Sequence, residues 1–277
     1  MIKRLLLVTV SLAHHLAVGG ARRLIELVSS KRRARTLVVL TYHAVTADDD
    51  DRFTSQMRLL KRRARLVFAD DAAPVGTRPA VAVTFDDAFQ CVFDHALPLL
   101  ARLEIPATVF VPTAYLGADA GWHSDGSALS GLPRQVVSAA ALTELDPSRV
   151  RIGSHTVTHP HLAALPPESL TDELAGSRAT LEALTGAPVN LLALPYGCFN
   201  AGVVEAARLT GYTRVFANMP LTLAARRLPT LHGRVNVSPR DWQLEFYLKT
   251  MGSYAWLATA IAAKRILVSA LGRRSTC

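Results

Sequence analysis

Two pairs of residues in this chain have types and spacings that chemistry can use. Asp86 and Asp87 follow the apolar run 80–85. Two adjacent carboxylates at the C-terminal end of a buried strand are costly unless paired, protonated or bound to a metal. An Asp-Asp pair also serves as an ordinary helix cap or turn. His155 and His159 follow the short strand-like run 150–154. Four-residue spacing on a helical turn puts both imidazoles on one face, within reach of one ion. Joined to an aspartate from a neighbouring strand end, they form an Asp-His-His set that leaves open positions for water and substrate, as a catalytic metal requires. His161 lies two residues further on and reads as a neighbour. Pro195-Tyr196-Gly197 follows a third such run. It is either a plain strand-ending turn or a turn presenting a backbone N–H and a phenol at the same mouth.

These residues need strands to carry them. Short β-branched runs predict strands at 37–42, 80–85, 107–111, 150–154, 191–194 and 212–217. Helical spacing predicts helices at 53–65, 89–103, 166–186 and 201–209, with Gly186 closing the third. Alternation of the two argues for parallel βα units, either a barrel or an open sheet. Asp48–Asp51 reads as an exposed acidic loop, and 116–133 as a long loop of the kind that often carries function. The economical division is one catalytic domain, 37–240. It lies between an N-terminal amphipathic basic helix, 1–36, and C-terminal amphipathic basic helices, 241–277.

The chain has 277 residues, half of them hydrophobic, and a mean hydropathy of +0.22. That excludes a disordered, collagen-like or coiled-coil chain. Three widely spaced cysteines imply no disulfide framework and no zinc knuckle. The net charge of +9 is unevenly spread. Residues 1–65 carry 14 Lys/Arg and 5 Asp/Glu, residues 66–225 carry 8 and 15, and residues 226–277 carry 9 and 2. Basic ends with apolar neighbours suit peripheral contact with an anionic membrane surface, although a solvated basic surface without a partner has the same pattern. With no zinc finger, aromatic-basic interleaving or helix-turn-helix, nucleic acid is not expected as a partner. The first 21 residues have the outline of a secretory signal. His14 and His15 interrupt its apolar stretch, however, and the helical pattern continues through Val28. An uncleaved helix is therefore expected, with the protein in the cytoplasm or peripheral at the inner face of the membrane and export left open.

Taken together, the motifs resemble the polysaccharide deacetylases, carbohydrate esterase family four, the NodB-homology domain. The family pattern is Thr-Phe-Asp-Asp-Gly, then His-(Ser/Thr)-x-x-His, then Arg-x-Pro-Tyr. Here the positions read Thr84-Phe85-Asp86-Asp87-Ala88, His155-Thr156-Val157-Thr158-His159 and Ala193-Leu194-Pro195-Tyr196. Leu40-Thr41-Tyr42-His43 is similar to the first strand of many short members, and the resemblance covers roughly residues 37–235. It implies a distorted (β/α) barrel of seven or so parallel strands, plus N- and C-terminal helices. It also implies a metal-dependent hydrolase that removes an N-acetyl group from an amino sugar in a glycan. Asp86 would be the general base. Asp87, His155 and His159 would hold a divalent metal, zinc with cobalt or manganese as substitutes. The Tyr196 N–H would help to hold the oxyanion. Three departures stand out. Ala88 replaces a glycine. Ala193 replaces the arginine that orients the base, which is expected to weaken it. The histidine motif near the C-terminus is reduced to His232, the local candidate for general acid. Two alternatives remain open: a deformylase or deacetylase of a lipid-linked sugar, and a non-catalytic carbohydrate-binding protein with the same fold.

Overall fold

The computed structural model describes residues 1–28 (main chain only from 21), 37–71, 78–122, 134–220, 228, 230–261 and 263. Its strands are β1 (Leu37–Tyr42), β2 (Arg65–Leu66), β3 (Ala80–Phe85), β4 (Ala107–Val111), β5 (Val150–Ser154), β6 (Leu191–Ala193), β7 (Arg214–Ala217), β8 (Leu231–Gly233) and β9 (Val235–Asn236). They run in the order β8-β7-β6-β5-β4-β3-β1-β9, with β2 beside β3, and the pairings are parallel. Only Arg234 separates β8 from β9, so the two ends of the order meet in a nearly closed barrel. The helices are α1 (Ile2–Val28), α2 (Asp50–Arg63), α3 (Leu97–Leu103), α4 (Ala139–Thr143), α5 (Pro167–Thr185), α6 (Ala201–Thr210) and α7 (Gln243–Thr250). The expected barrel with terminal helices is therefore present.

Strand pleating sorts the side chains into two shells, because successive residues point to opposite faces. Leu40, Val83, Val109, Leu192 and Val215 pack outward, with residues of the surrounding helices, in the main core. Val39, Ala82, Phe110, Ala193 and Phe216 point inward and form a separate cluster with Ala69. Gly153 is bare because the Phe110 ring occupies the space a Cβ would need. At the N-terminal end of the strands, Arg151 pairs with Asp70 and Asp71, and Arg214 Nη1 donates to the Ala69 carbonyl at 2.9 Å. That end is plugged. The same alternation carries His43, Asp86 and His155 to the inside at the other end, one step past β1, β3 and β5.

Several expectations need correction. Asp48–Asp51 is not a loop. A 3₁₀ turn, Ala47–Asp49, leads into α2, and Asp50 and Asp51 occupy its first turn, where carboxylates oppose the helix dipole. Asp49 is buried and accepts from Arg240 Nε at 3.2 Å. The helical run 89–103 is present but widens into a π turn at Val92–Ala96. Pro98 explains the widening: its ring lacks an N–H and crowds the carbonyl four residues back. β2, α4, β8 and β9 are two to five residues long, too short for periodicity to show. Residues 123–133 of the long loop and 264–277 of the basic tail lie outside the described residues.

Candidate active site

Asp86 is fully buried at the C-terminal mouth of β3 and forms a two-pronged ion pair with Arg234. Arg234 Nη1 donates to Oδ1 at 2.5 Å and Nη2 to Oδ2 at 2.7 Å. Arg234 is itself fully buried, with its guanidinium over the rings of Phe110 and Phe216, 5.2 and 5.9 Å from their centroids. Nη2 also donates to Asn218 Oδ1 at 2.7 Å. Burial alone would raise the Asp86 pKa. The Arg234 charge and hydrogen bonds outweigh it and hold the carboxyl well below its ordinary range. Asp86 is a carboxylate at any working pH. The arginine missing at Ala193 is thus supplied from the β8–β9 junction, and the expected weakening of the base loses its basis.

Asp87 has the opposite problem. Burial first, then the charge of Asp86, pushes it well above the ordinary carboxylate range. Its Oδ1 is buried with no hydrogen-bond partner among the described residues and lies 3.5 Å from Nε2 of both His155 and His159. His155 Nδ1 lies 2.8 Å from the Ala193 carbonyl and must donate to it, since a carbonyl only accepts. That fixes the tautomer and leaves Nε2 with a lone pair aimed at Asp87. Burial holds His155 down to about 4 and His159 lower still, so both rings are neutral. One orphaned carboxylate oxygen and two imidazoles, with ligand atoms within 4.8 Å of one another, make a donor set that fits a divalent ion.

The histidines are not on a helical turn, as spacing had suggested. Residues 155–160 form an irregular loop in which Thr156 and His159 have φ of 70° and 58°. Glu173 of α5 holds it: Oε2 accepts from the Val157 and Thr158 N–H groups at 2.8 and 2.9 Å, and Oε1 accepts from Thr158 Oγ1 at 2.5 Å. Asp87 (68°), Ala88 (49°) and Tyr196 (58°) also have positive φ. Five of the six described non-glycine residues in this region of φ therefore cluster here, the sixth being Glu104. Each costs about 1–2 kcal/mol and persists only where surrounding contacts over-determine it. At Ala88 the conformation explains why a glycine is the natural occupant.

Comparison with known proteins agrees with this geometry. Residues 74–215, slightly over half of the chain, match the family model for polysaccharide deacetylase. The chain belongs to the polysaccharide deacetylase family. It is accordingly a hydrolase of non-peptide carbon–nitrogen bonds. YxkH of Bacillus subtilis (strain 168), named provisionally as a polysaccharide deacetylase, is 25% identical over 218 residues, which are 73% of this chain and 72% of YxkH. Two solved structures share the fold. The Streptococcus pyogenes deacetylase PplD, in complex with acetate, has a TM-score of 0.64 at 21% identity, covering 79% of this chain and 99% of its own. IcaB from Ammonifex degensii has a TM-score of 0.64 at 24% identity, covering 79% and 98%.

Around the Asp-His-His set this deacetylase has an aromatic rim. The Tyr196 ring is 43% exposed, edge-on to His159 at 4.7 Å and stacked on His161 at 3.9 Å. Burial, then the charge of Asp87, raises its phenol above the ordinary value. Trp122 stacks on the other side of His159, 4.4 Å between centroids, with Tyr115 edge-on behind it. No sequence pattern marks Trp122, which sits in a loop without periodicity. Two histidines compete for the role of proton donor. His232 points at Phe216, 5.8 Å between ring centroids, and burial followed by the Arg214 charge lowers its pKa. No contact joins it to Asp86 or Asp87 among the described residues. His43, next after β1, lies beside Asp86 in the strand register, and the charges of Asp86 and Arg234 both act on it. Burial lowers its pKa, and Asp86 opposes that.

Proposed function

We propose that this chain removes an acetyl group from the nitrogen of an amino sugar in a glycan, with zinc held by Asp87, His155 and His159. The observation that carries the reading is the orphaned Asp87 oxygen facing two neutral imidazoles, beside a base kept ionised by Arg234. Bound there, a divalent ion would polarise the acyl carbonyl and acidify the attacking water. Asp86 accepts the proton of that water, and its fixed fork with Arg234 removes any reorganisation at the moment of transfer. The Tyr196 N–H donates to the oxyanion. His43 protonates the departing amine: it lies beside Asp86 in the strand register and, unlike His155 and His159, is not in the ligand set. Tyr196 and Trp122 suit the apolar face of a sugar ring. The non-catalytic alternative rested on Ala193 and on the unassigned general acid; Arg234 removes the first of these supports.

Acetate release from N-acetylglucosamine oligomers tests this reading. Turnover is expected with about one zinc per chain, to vanish with a chelator, and to return on adding zinc. Turnover that persists without metal, or no release from any N-acetylated glycan, would overturn it. The proton-donor assignment has its own check. His43→Gln is expected to lower kcat on the order of 10²-fold, and His232→Gln to change it less than about threefold. The reverse ranking would return the role to His232.

A further inference from the structure

Helix α1 is amphipathic in the wrong sense for a helix facing water. Its inner face makes the polar contacts. Arg4 Nε donates to Glu245 Oε2 at 2.6 Å, Trp256 Nε1 donates to Ser11 Oγ at 2.9 Å, and His15 Nδ1 lies 2.9 Å from Ser253 Oγ. Val8 packs between Leu248 and Tyr254. The outer face is apolar: Leu5, Leu6 and Leu16 are 58%, 62% and 66% exposed. Residues 5–21 contain no Asp, Glu, Lys or Arg. A solvated outer face carries charge; this one carries none over about four helical turns.

The patch extends beyond the helix. Arg4 bridges α1 to the start of α7, its guanidinium 4.4 Å above the Trp242 ring, and Trp242 and Leu244 are themselves exposed. Of the nine exposed large hydrophobic side chains among the described residues, seven are Met1, Ile2, Leu5, Leu6, Leu16, Trp242 and Leu244. Cations flank the strip. Residues 1–36 carry eight Lys/Arg against Glu26 alone. An uncharged strip with basic ends and a tryptophan at one margin complements an anionic bilayer.

We infer that the outer face of α1, with Trp242 and Leu244, seats the protein on an anionic lipid bilayer, the helix axis lying in the membrane plane. The stretch Ile2–Gly20 is long and apolar enough to cross a membrane. Spanning would break the contacts of Arg4 with Glu245, Ser11 with Trp256 and His15 with Ser253; lying flat keeps them. Arg4 also donates to the Arg240 carbonyl, beyond the C-terminal end of β9, so the first turn of α1 sits at the mouth end of the barrel. The mouth then opens beside the membrane surface. This inference does not depend on which acyl group the site removes.

Flotation of the full chain with vesicles of phosphatidylcholine and phosphatidylglycerol (7:3), against phosphatidylcholine alone, tests it. Binding is expected to the anionic vesicles, to weaken on the order of tenfold between low and high salt, and to be released by alkaline carbonate. Leu6→Asp with Leu16→Asp places two charges on the outer face without touching the inner one. Vesicle partitioning is expected to fall on the order of a hundredfold, with thermal stability and turnover on a soluble oligomer unchanged. No flotation at low salt, resistance to carbonate, or a double variant that still floats would overturn the inference. So would loss of a dimer in that variant with no flotation by the parent, which would make the face a contact between copies.

Discussion

Asp86→Asn is expected to lower turnover of an N-acetylated oligomer by roughly 10²–10⁴-fold, the span general base catalysis commands, without loss of the metal proposed at Asp87, His155 and His159. Unlike Asp87, Asp86 has no orphaned oxygen; both accept from Arg234. The amide preserves shape and still accepts one hydrogen bond, but it cannot take a proton. It also leaves the buried guanidinium without a counter-charge, so stability is expected to fall as well. Metal content by mass spectrometry and single-turnover acetate release separate the two effects. A variant that loses zinc along with activity would place Asp86 in the ligand set. One that keeps near-parental turnover would put the base elsewhere.

Arg234→Met carries the second large effect, and its signature is in the pH profile. Arg234 is the main influence opposing burial at Asp86. Without it, desolvation raises the Asp86 pKa, so the base protonates as pH falls through a higher value than before. The acid limb of kcat/KM is expected to move to higher pH, with activity lost first at low pH. Stability is expected to drop by about 3–5 kcal/mol, the usual result of leaving one member of a buried pair uncompensated. The sign for stability follows the same logic. A carboxylate with a depressed folded-state pKa stabilises the fold above its unfolded value and loses that contribution as pH falls through the folded one. In the variant this contribution is missing near neutral pH. Combining Arg234→Met with Asp86→Asn removes both charges and is expected to recover much of the stability without recovering turnover. If the single variant keeps the parental acid limb, Arg234 merely fills space between Phe110 and Phe216. If the double variant is no more stable than either single one, the pair is not the source of the loss.

Sequence alone determined the strands and the residues at their ends. Ala80–Phe85 is rich in β-branched residues and buried along its whole length, and the short run Val150–Ser154 carries Val150 and Ile152 around Arg151. Their ends therefore mark where Asp86, Asp87, His155 and His159 emerge. Strand parity then sends His43, Asp86 and His155 to the same interior. Only the tertiary structure decided how the site is held and charged. The partner of Asp86 is Arg234, 148 residues away, in a β8–β9 segment too short to show a period. Barrel closure brings it home, which no local pattern can encode. The histidine spacing had suggested a helical turn, yet the loop is irregular. A single distant carboxylate, Glu173, satisfies two of its backbone donors, and that outweighs local helix preference. The outer face of α1 shows the same division. Its lack of charge over residues 5–21 is plain in the sequence. Which side stays exposed was settled by where Arg4, Ser11 and His15 found partners on the domain, because a polar group leaving water must find one.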